Sequence, residues 1–327
     1  MMQCCHLIYD KIKVEVVMTQ GPGPNLIPLT KLTLGEILSG SLNSLRRMPK
    51  TLLGIGLFSG FIVGIATVMA SALFVRNGES LELPQIPNPS STLNQEQLEE
   101  LLTALGPTLR IAVVTTLVLF VVQTISAGMF THIIGNAIIG KKINAAESWT
   151  KTKPQLGRII VVSLISFLFP ILAIVAGSSI GVALTGISNL FVFVGLGIGL
   201  VGAIYMWISL YVIVPTLVLE DTTLKGALKR SFYLAKANIL RIFGIGIMGI
   251  ITSQAISIVV STPFALFAQT GADQDPTTSS VFMSTMGSVI GYTFMLPFVA
   301  TFTTLLYTDL RIRKENLATD LNKAANQ

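Results

Sequence analysis

Residues 223–246, TLKGALKRSFYLAKANILRIFGIG, join a basic amphipathic helix directly to an apolar stretch. On a helical projection, one side of the predicted helix collects the apolar and small residues Leu224, Ala227, Leu228, Ser231, Ala235 and Ile239. The opposite side collects Lys225, Lys229, Tyr233 and Lys236. This pattern is typical of a helix that lies flat on a bilayer surface, and it here leads straight into a membrane span.

The same arrangement recurs elsewhere in the chain. The segment 33–56, TLGEILSGSLNSLRRMPKTLLGIG, aligns with the opening segment without a gap, so that Thr33 is set against Thr223. Identical residues then meet at Thr33, Leu34, Leu38, Ser41, Gly54, Ile55 and Gly56. A fainter copy places Ser148 and Trp149 against Ser231 and Phe232, and it pairs Lys153 with Lys236 and Arg158 with Arg241. The repeats predict about three units, each consisting of a surface helix and two spans.

Composition places the chain among integral membrane proteins. Hydrophobic residues make up 51% of it and charged residues only 12%, and the mean hydropathy is +0.73. Stretches of about 20 apolar residues cross a hydrocarbon core of about 30 Å. Such stretches lie near 51–75, 109–134, 159–182, 190–219, 242–268 and 281–307. We therefore predict an all-α, polytopic integral membrane helical bundle with six transmembrane helices, of which the fourth is tilted or broken at its glycines 195, 197, 199 and 202.

The charged residues predict the orientation of the bundle. Every Lys and Arg except Arg76 and Arg110 lies before the first span, in 135–158, in 220–241 or after 308. The opposite connections are acidic, and the longer one ends in a predicted short surface helix that begins at Thr92. By the positive-inside rule, both termini are cytoplasmic. The net charge of +6 then reflects topology and attraction to anionic headgroups, and it does not indicate nucleic-acid binding.

The chain divides into three predicted parts. Residues 1–30 form a flexible cytoplasmic N-terminus, and its first 17 residues resemble an artefact of start-site choice. Residues 31–315 form the six-helix membrane domain, and 316–327 form a cytoplasmic tail. Cys4 and Cys5 are the two cysteines of the sequence, and adjacent cysteines do not form a disulfide framework.

Motifs that resemble catalytic or nucleotide-binding signatures do not fit their structural context. Gly135, Gly140 and Lys141 have the spacing of a phosphate-binding loop, but Lys142 stands where Ser or Thr is needed. The sequence 177–181 has the spacing of a nucleophile elbow, but it falls in the third span, where small residues allow close helix packing. We predict no cofactor, no metal and no nucleotide. Three polar residues of the spans, Gln123, Asn189 and Gln254, are predicted to bond across helices or to line a pathway.

Acidic and basic residues are concentrated where the fourth and sixth spans end. We predict that the acids bridge to arginines of the surface helices and pin a basic collar to the bundle, and recognition of anionic lipid headgroups is the alternative role. The candidate residues are Glu220, Asp221, Lys229, Arg230, Arg241, Asp309, Arg311, Arg313 and Lys314.

Three segments carry a family resemblance, namely IPLTKLTLGEILSGSLNSLRRMPKTLLG at 27–54, PTLVLEDTTLKGALKRSFYLAKANILRIFGIG at 215–246 and LLYTDLRIRKE at 305–315. Together they resemble a bacterial, chiefly actinobacterial family, the glycerophosphoryl diester phosphodiesterase membrane domain. The resemblance implies a plasma-membrane domain. It does not imply catalysis, because a phosphodiesterase needs histidines and carboxylates around a metal, and the chain has only His6 and His132.

Two classes of function are left open. The first is a non-catalytic scaffold or anchor for envelope or lipid-related partners. The second is a transporter or lipid-handling protein with a pathway between its helices. The predicted partners are membrane lipids with anionic headgroups at the cytoplasmic face and a membrane or envelope protein.

Overall fold

A computed structural model describes residues 31–75, 95–186, 188–269 and 278–315. Within these ranges the chain is helical and contains no strand, and six of its helices are long and apolar enough to cross a membrane. The prediction of an all-α, multi-pass membrane protein is therefore confirmed. The predicted lead 1–30, the tail 316–327 and the helix-capping residue Thr92 lie outside the described residues, and the three-part division of the chain stays a prediction.

The described ranges contain the following helices in chain order. They are α1 (Leu34–Arg47), α2 (Pro49–Val75), α3 (Gln95–Ile138), α4 (Ala145–Thr152), α5 (Leu156–Ala183), α6 (Leu190–Leu210), α7 (Ile213–Glu220), α8 (Leu224–Lys236), α9 (Ile239–Gln269) and α10 (Thr278–Glu315), with a 3₁₀ turn at Lys153–Gln155. The candidate spans are Pro49–Leu73, Leu109–Ile138, Ala145–Ala183, Leu190–Glu220, Ile239–Ala268 and Phe282–Glu315.

Three short helices, α1, α4 and α8, each precede a longer apolar helix, as the repeats predict. Each begins at a residue whose side chain accepts a hydrogen bond from a backbone N–H of the first turn. Thr33 caps α1, Asn144 caps α4 and Thr223 caps α8. These bonds satisfy N–H groups that have no partner inside the helix, which explains why the helices start where they do.

The apolar side of α8 packs on protein. Ala227, Leu234 and Ala235 are fully buried, and Ala227 belongs to a core cluster with Ile159 and Leu217. The prediction that this side rests on the bilayer is therefore wrong, because the neighbouring helices already cover it. The predicted polar side is confirmed, since Lys225, Lys229, Tyr233 and Lys236 are exposed.

The fourth span is broken, as predicted, but the position of the break differs from the prediction. Helix α6 ends at Leu210 and α7 begins at Ile213. Pro215 accounts for this position, because its ring clashes with the carbonyl four residues earlier and it has no N–H to donate. The hydroxyl of Ser231 also donates to the Ser209 carbonyl at 2.6 Å, which occupies a backbone acceptor at the break.

Several glycines of α5 and α6 allow these two helices to pack closely. A Cβ atom on Gly177 of α5 would lie 2.5 Å from the Gly195 carbonyl oxygen and from the backbone of Gly199. Gly181 likewise faces the backbone of α6 at 2.6 Å. A Cβ atom on Gly197 would instead lie in open space. The expected role of Gly177 and Gly181 in helix packing is thus confirmed.

The described chain forms two compact units. The first unit contains the described residues of 31–52, 127–252 and 297–315, and it includes α1 and α4 to α8. The second contains the described parts of Leu53–Ser126 and Ser253–Leu296. In the second unit, Gly60 of α2 lies against the backbone of Val289 in α10, and the hydroxyls of Ser59 and Ser126 are 2.7 Å apart.

Helix α3 differs from its prediction at its start. The acidic segment was predicted to form a separate short helix, but it is the beginning of a single helix of 44 residues. The same helix ends at Ile138, and Gly140 follows with a φ of 78°, a conformation that glycine adopts at no steric cost. Gly140 thus terminates a helix where the sequence has the spacing of a phosphate-binding loop.

Candidate functional site

Asp309 is the centre of a buried ion cluster in the first unit. Its carboxylate is fully buried and accepts hydrogen bonds from Arg241 at 2.8 and 3.0 Å and from Arg313 at 2.9 Å. The backbone N–H of Leu32 donates to the same carboxylate at 2.8 Å. Both arginines also donate to the Leu32 carbonyl, at 2.6 and 2.8 Å. The cluster therefore joins the residue just before the α1 cap to α9 and α10.

Asp221 forms a second cluster of similar design. Arg158, near the start of α5, donates to its carboxylate at 2.9 Å and to the Thr222 carbonyl at 3.1 Å. Gln155 donates to the same carboxylate at 3.0 Å. Asp221 itself has a φ of 42° and ends α7, a left-handed conformation that Asp tolerates better than most residues. This cluster is more exposed to solvent than the Asp309 cluster, with Asp221 at 68% side-chain exposure.

The two clusters share one contact at aligned positions of the repeats, between an arginine and a backbone carbonyl. Arg158 and Arg241 occupy aligned positions, and the alignment of 33–56 with the opening segment likewise sets Leu32 against Thr222. In each case an arginine at the start of a span binds an acid and the carbonyl just before the cap of a surface helix. In the first repeat, the residue that aligns with Arg241 is Thr51, which has no guanidinium group to make this contact. The contact between an arginine and the carbonyl before the cap is therefore observed for α1 and for α8.

Glu220 belongs to a third cluster, which contains two acids and two arginines. Arg230 donates to Glu220 at 3.1 Å and pairs with Glu315 at 2.5 Å. Arg311 donates to Glu315 at 3.1 Å, and the Tyr307 hydroxyl donates to Glu220 at 2.6 Å. Burial alone lowers the pKa of Arg230, but the carboxylates of Glu220 and Glu315 outweigh it and hold that pKa above its ordinary value. The charges of this cluster cancel within the protein.

Lys229 and Lys314 lie outside these ion clusters. Lys229 is exposed on the outer side of α8 beside Lys225. The Lys314 ammonium lies 3.6 Å from the centre of the Tyr233 ring and donates to the Tyr233 carbonyl. Seven of the nine candidate residues therefore take part in ion pairs, namely Glu220, Asp221, Arg230, Arg241, Asp309, Arg311 and Arg313.

Several members of these clusters were missed by sequence reasoning. They are Leu32, Gln155, Arg158, Tyr307 and Glu315. Arg158 was detectable, because the repeats align it with Arg241. The prediction that the acids bridge to arginines of surface helices is correct for Arg230 on α8. It is wrong for the other arginines of the clusters, which lie at the ends of the longer helices α5, α9 and α10: Arg158, Arg241, Arg311 and Arg313.

The polar residues of the spans do not bond across helices as predicted. Gln123 and Gln254 are exposed, and neither side chain hydrogen-bonds to another residue of the described ranges. Asn189 is exposed just before α6, and its side chain does not cap that helix. Bonding across helices is the alternative that is wrong, because helical projection does not show which face of a span meets a neighbour. The other alternative, that these residues line a pathway, stays a prediction.

The chemistry available at the three ion clusters is charge pairing. The arginine guanidinium groups are directed at carboxylates and backbone carbonyls, which is the arrangement of a structural network. Among the described residues, no group of three or more His, Cys, Asp or Glu side chains could hold a metal ion. The cationic groups that face outward from α8 are lysines.

Comparison with known proteins identifies a family. Neither the curated proteins nor the solved structures include a match to the chain. The family described as Domain of unknown function (DUF7847) matches residues 32–310. This match begins at Leu32, whose carbonyl the two arginines bind, and ends one residue after Asp309. The resemblance to the glycerophosphoryl diester phosphodiesterase membrane domain is not addressed by this match and stays a prediction. Because the match covers most of the chain, including every helix from α1 to α9, the protein belongs to the DUF7847 family.

Proposed function

We propose that the protein is a non-catalytic scaffold or anchor of a bacterial plasma membrane, with both termini in the cytoplasm. Its cytoplasmic collar presents a lysine face to anionic lipid headgroups or to an envelope or lipid-related protein partner. The observation that carries this proposal is that the arginines and the lysines of the collar have different surroundings. Arginines of the collar are bound to acids of the same chain, whereas Lys225, Lys229 and Lys236 are exposed on α8.

The chemistry of the two side chains supports this division. An arginine guanidinium binds a carboxylate through two parallel hydrogen bonds, so it suits fixed internal pairs. A lysine ammonium is a compact, well-hydrated charge on a flexible stem, so it suits attraction to a diffuse negative surface. The ion clusters keep α8 in place, and the lysines on its outer side then act from a fixed position.

Charge distribution and family resemblance support the proposed location. The basic segments all lie on one side of the predicted spans, which the positive-inside rule assigns to the cytoplasm. The predicted kinship with the glycerophosphoryl diester phosphodiesterase membrane domain points to the bacterial plasma membrane, and it does not imply catalysis.

A triple variant tests the lysine face. Lys225→Gln, Lys229→Gln and Lys236→Gln together should lower the affinity for anionic lipid about fivefold per lysine. A control with Lys31→Gln, Lys50→Gln and Lys142→Gln loses the same charge from other exposed positions and should have a smaller effect. Binding is measured as the anionic lipid that is retained by protein purified in nanodiscs of mixed composition. Equal lipid retention in both variants and the wild type would contradict the proposal.

A lipid-handling protein is the second candidate function. A groove on α5 is lined by Ile174, Val175, Ser178, Ser179, Val182 and Ala183, and its mainly apolar surface suits an acyl chain. Reconstitution with a fluorescent phospholipid and a membrane-impermeant quencher separates the two candidates. A scaffold leaves the rate of lipid exchange between leaflets unchanged, whereas protein-dependent exchange would favour the second function and contradict the first.

A further inference from the structure

Two glutamine side chains lie exposed at the middle of membrane spans. Gln254 stands at the midpoint of the span Ile239–Ala268, and Gln123 stands at the midpoint of the span Leu109–Ile138. Neither amide has a hydrogen-bond partner within the described part of the chain. An amide without a partner is unfavourable in hydrocarbon, because it has lost the hydrogen bonds that water provides.

The surroundings of the two amides differ. Gln254 lies at the centre of an exposed strip on α9, with Ile251 one turn before it at 55% exposure and Ile258 one turn after it at 61%. Ala255, beside it, is also exposed, and its small side chain allows another helix to approach closely. Gln123 lies at the rim of an exposed surface, because Ser126, one turn further along α3, is buried. Of the two, α9 therefore offers the better surface for a second helix.

The depth of Gln254 restricts what can cover it. Lipid headgroups lie about 15 Å away, at the edge of a hydrocarbon core of about 30 Å, and acyl chains have no hydrogen-bonding groups. Water at this depth needs a polar lining, whereas the exposed neighbours of Gln254 one turn away, Ile251 and Ile258, are apolar. A protein amide satisfies the requirement, because it carries both a donor and an acceptor.

A second copy of the chain supplies such an amide at the same depth. Copies that insert in the same direction are related by a two-fold axis normal to the membrane, and the same residue then meets itself across that axis. Each Gln254 amide can donate an N–H to the carbonyl oxygen of the other. We infer that the exposed strip of α9 is the contact surface of a homodimer in which the two Gln254 amides bond to each other. This inference does not depend on the proposed function.

Subunit counting in lipid bilayers tests the dimer. Full-length, fluorescently tagged protein is reconstituted in liposomes over a range of protein-to-lipid ratios, and subunits are counted by single-molecule photobleaching. Gln254→Leu should raise the dimer dissociation constant about 3- to 30-fold. Gln123→Leu makes the same exchange at the same depth and should leave that constant unchanged. Leucine suits a lipid-facing position, so both variants should keep the thermal stability of the wild type.

Cysteine cross-linking locates the interface independently. In a background with Cys4→Ser and Cys5→Ser, oxidation of Ile258→Cys on α9 should produce a disulfide-linked dimer. Leu117→Cys on α3, which is equally exposed at 61%, should not. A wild type that is monomeric at every protein-to-lipid ratio would overturn the inference. An unchanged dimer in Gln254→Leu, or a dimer weakened by Gln123→Leu instead, would overturn it as well.

Discussion

Asp309 illustrates how single residues hold the collar together. Its buried carboxylate accepts hydrogen bonds from the guanidinium groups of Arg241 and Arg313 and from the backbone N–H of Leu32. Removal of one partner from such a cluster is more damaging than its pairwise contacts suggest, because the remaining buried charges lose their compensation. The exposed pair of Glu147 and Lys151 on α4 is the opposite case, since water solvates both groups when either is removed.

Asp309→Asn should lower the free energy of unfolding by about 3–5 kcal/mol, because Arg241 and Arg313 would stay half-buried without an acid. Glu147→Gln should change that free energy by less than about 0.5 kcal/mol. Both variants are measured by reversible unfolding in mixed micelles. If the two variants lost equal stability, the buried cluster would not be a structural anchor.

Glu36 makes a pH-dependent contribution to α1. The backbone N–H and the hydroxyl of Thr33 donate to its carboxylate and hold the pKa of Glu36 below its ordinary value of 4.5. A depressed pKa means that the contribution is present above pH 4.5 and is lost as the pH falls through the lower folded value. We expect the stability difference between the wild type and Glu36→Gln to shrink below pH 4.5. Unfolding measured at a series of pH values checks this, and a difference that is independent of pH would contradict it.

At the scale of elements, the hairpin of α5 and α6 depends on glycines at its crossing. Gly195 of α6 lies against the backbone of Gly177 and Gly181, so the two helices approach more closely than side chains would allow. Gly197 lies two residues further along the same helix and has open space around it. Alanine variants at Gly195 and Gly197 therefore distinguish the effect of helix packing from the effect of helix propensity.

Gly195→Ala should destabilise the protein by about 1–3 kcal/mol, because its Cβ would overlap backbone atoms that cannot move aside. Gly197→Ala should be neutral or stabilise by up to about 1 kcal/mol, because alanine favours the helical conformation. Thermal unfolding in detergent compares them. Equal melting temperatures for the two variants would show that the crossing is not tightly packed.

For the whole molecule, charge asymmetry is the property that determines insertion. The basic segments all lie on one side of the predicted spans. The connection that contains Glu99 lies on the opposite side. Positive segments are retained on the cytoplasmic side during insertion, so a single orientation is expected. That orientation is needed both for the lysine face and for a dimer of parallel copies.

Labelling of single cysteines tests the orientation. In a background without Cys4 and Cys5, Glu99→Cys should react with a membrane-impermeant maleimide in intact cells. Lys229→Cys should react only after the cells are lysed. Both parent residues are exposed, so access is governed by the membrane. The reverse labelling pattern would contradict the proposed topology and the location of the lysine face.

The helical membrane class, the approximate spans, the repeated surface helices and the two faces of α8 could all be predicted from the amino-acid sequence. These features follow from hydrophobic length and periodicity, which are local properties of the chain. The sequence also indicated that acids and arginines meet at one end, because their positions at span ends were visible.

Which groups are partners and which helix faces are covered became known from the three-dimensional structure. Arg241 reaches Asp309 across 68 residues of chain and Leu32 across 209, and no local pattern encodes such distances. Burial of the apolar side of α8 and exposure of Gln254 are likewise decided by which helix packs beside which. Pairing and burial depend on neighbours brought together by folding, and for that reason the sequence predicted the elements better than it predicted their contacts.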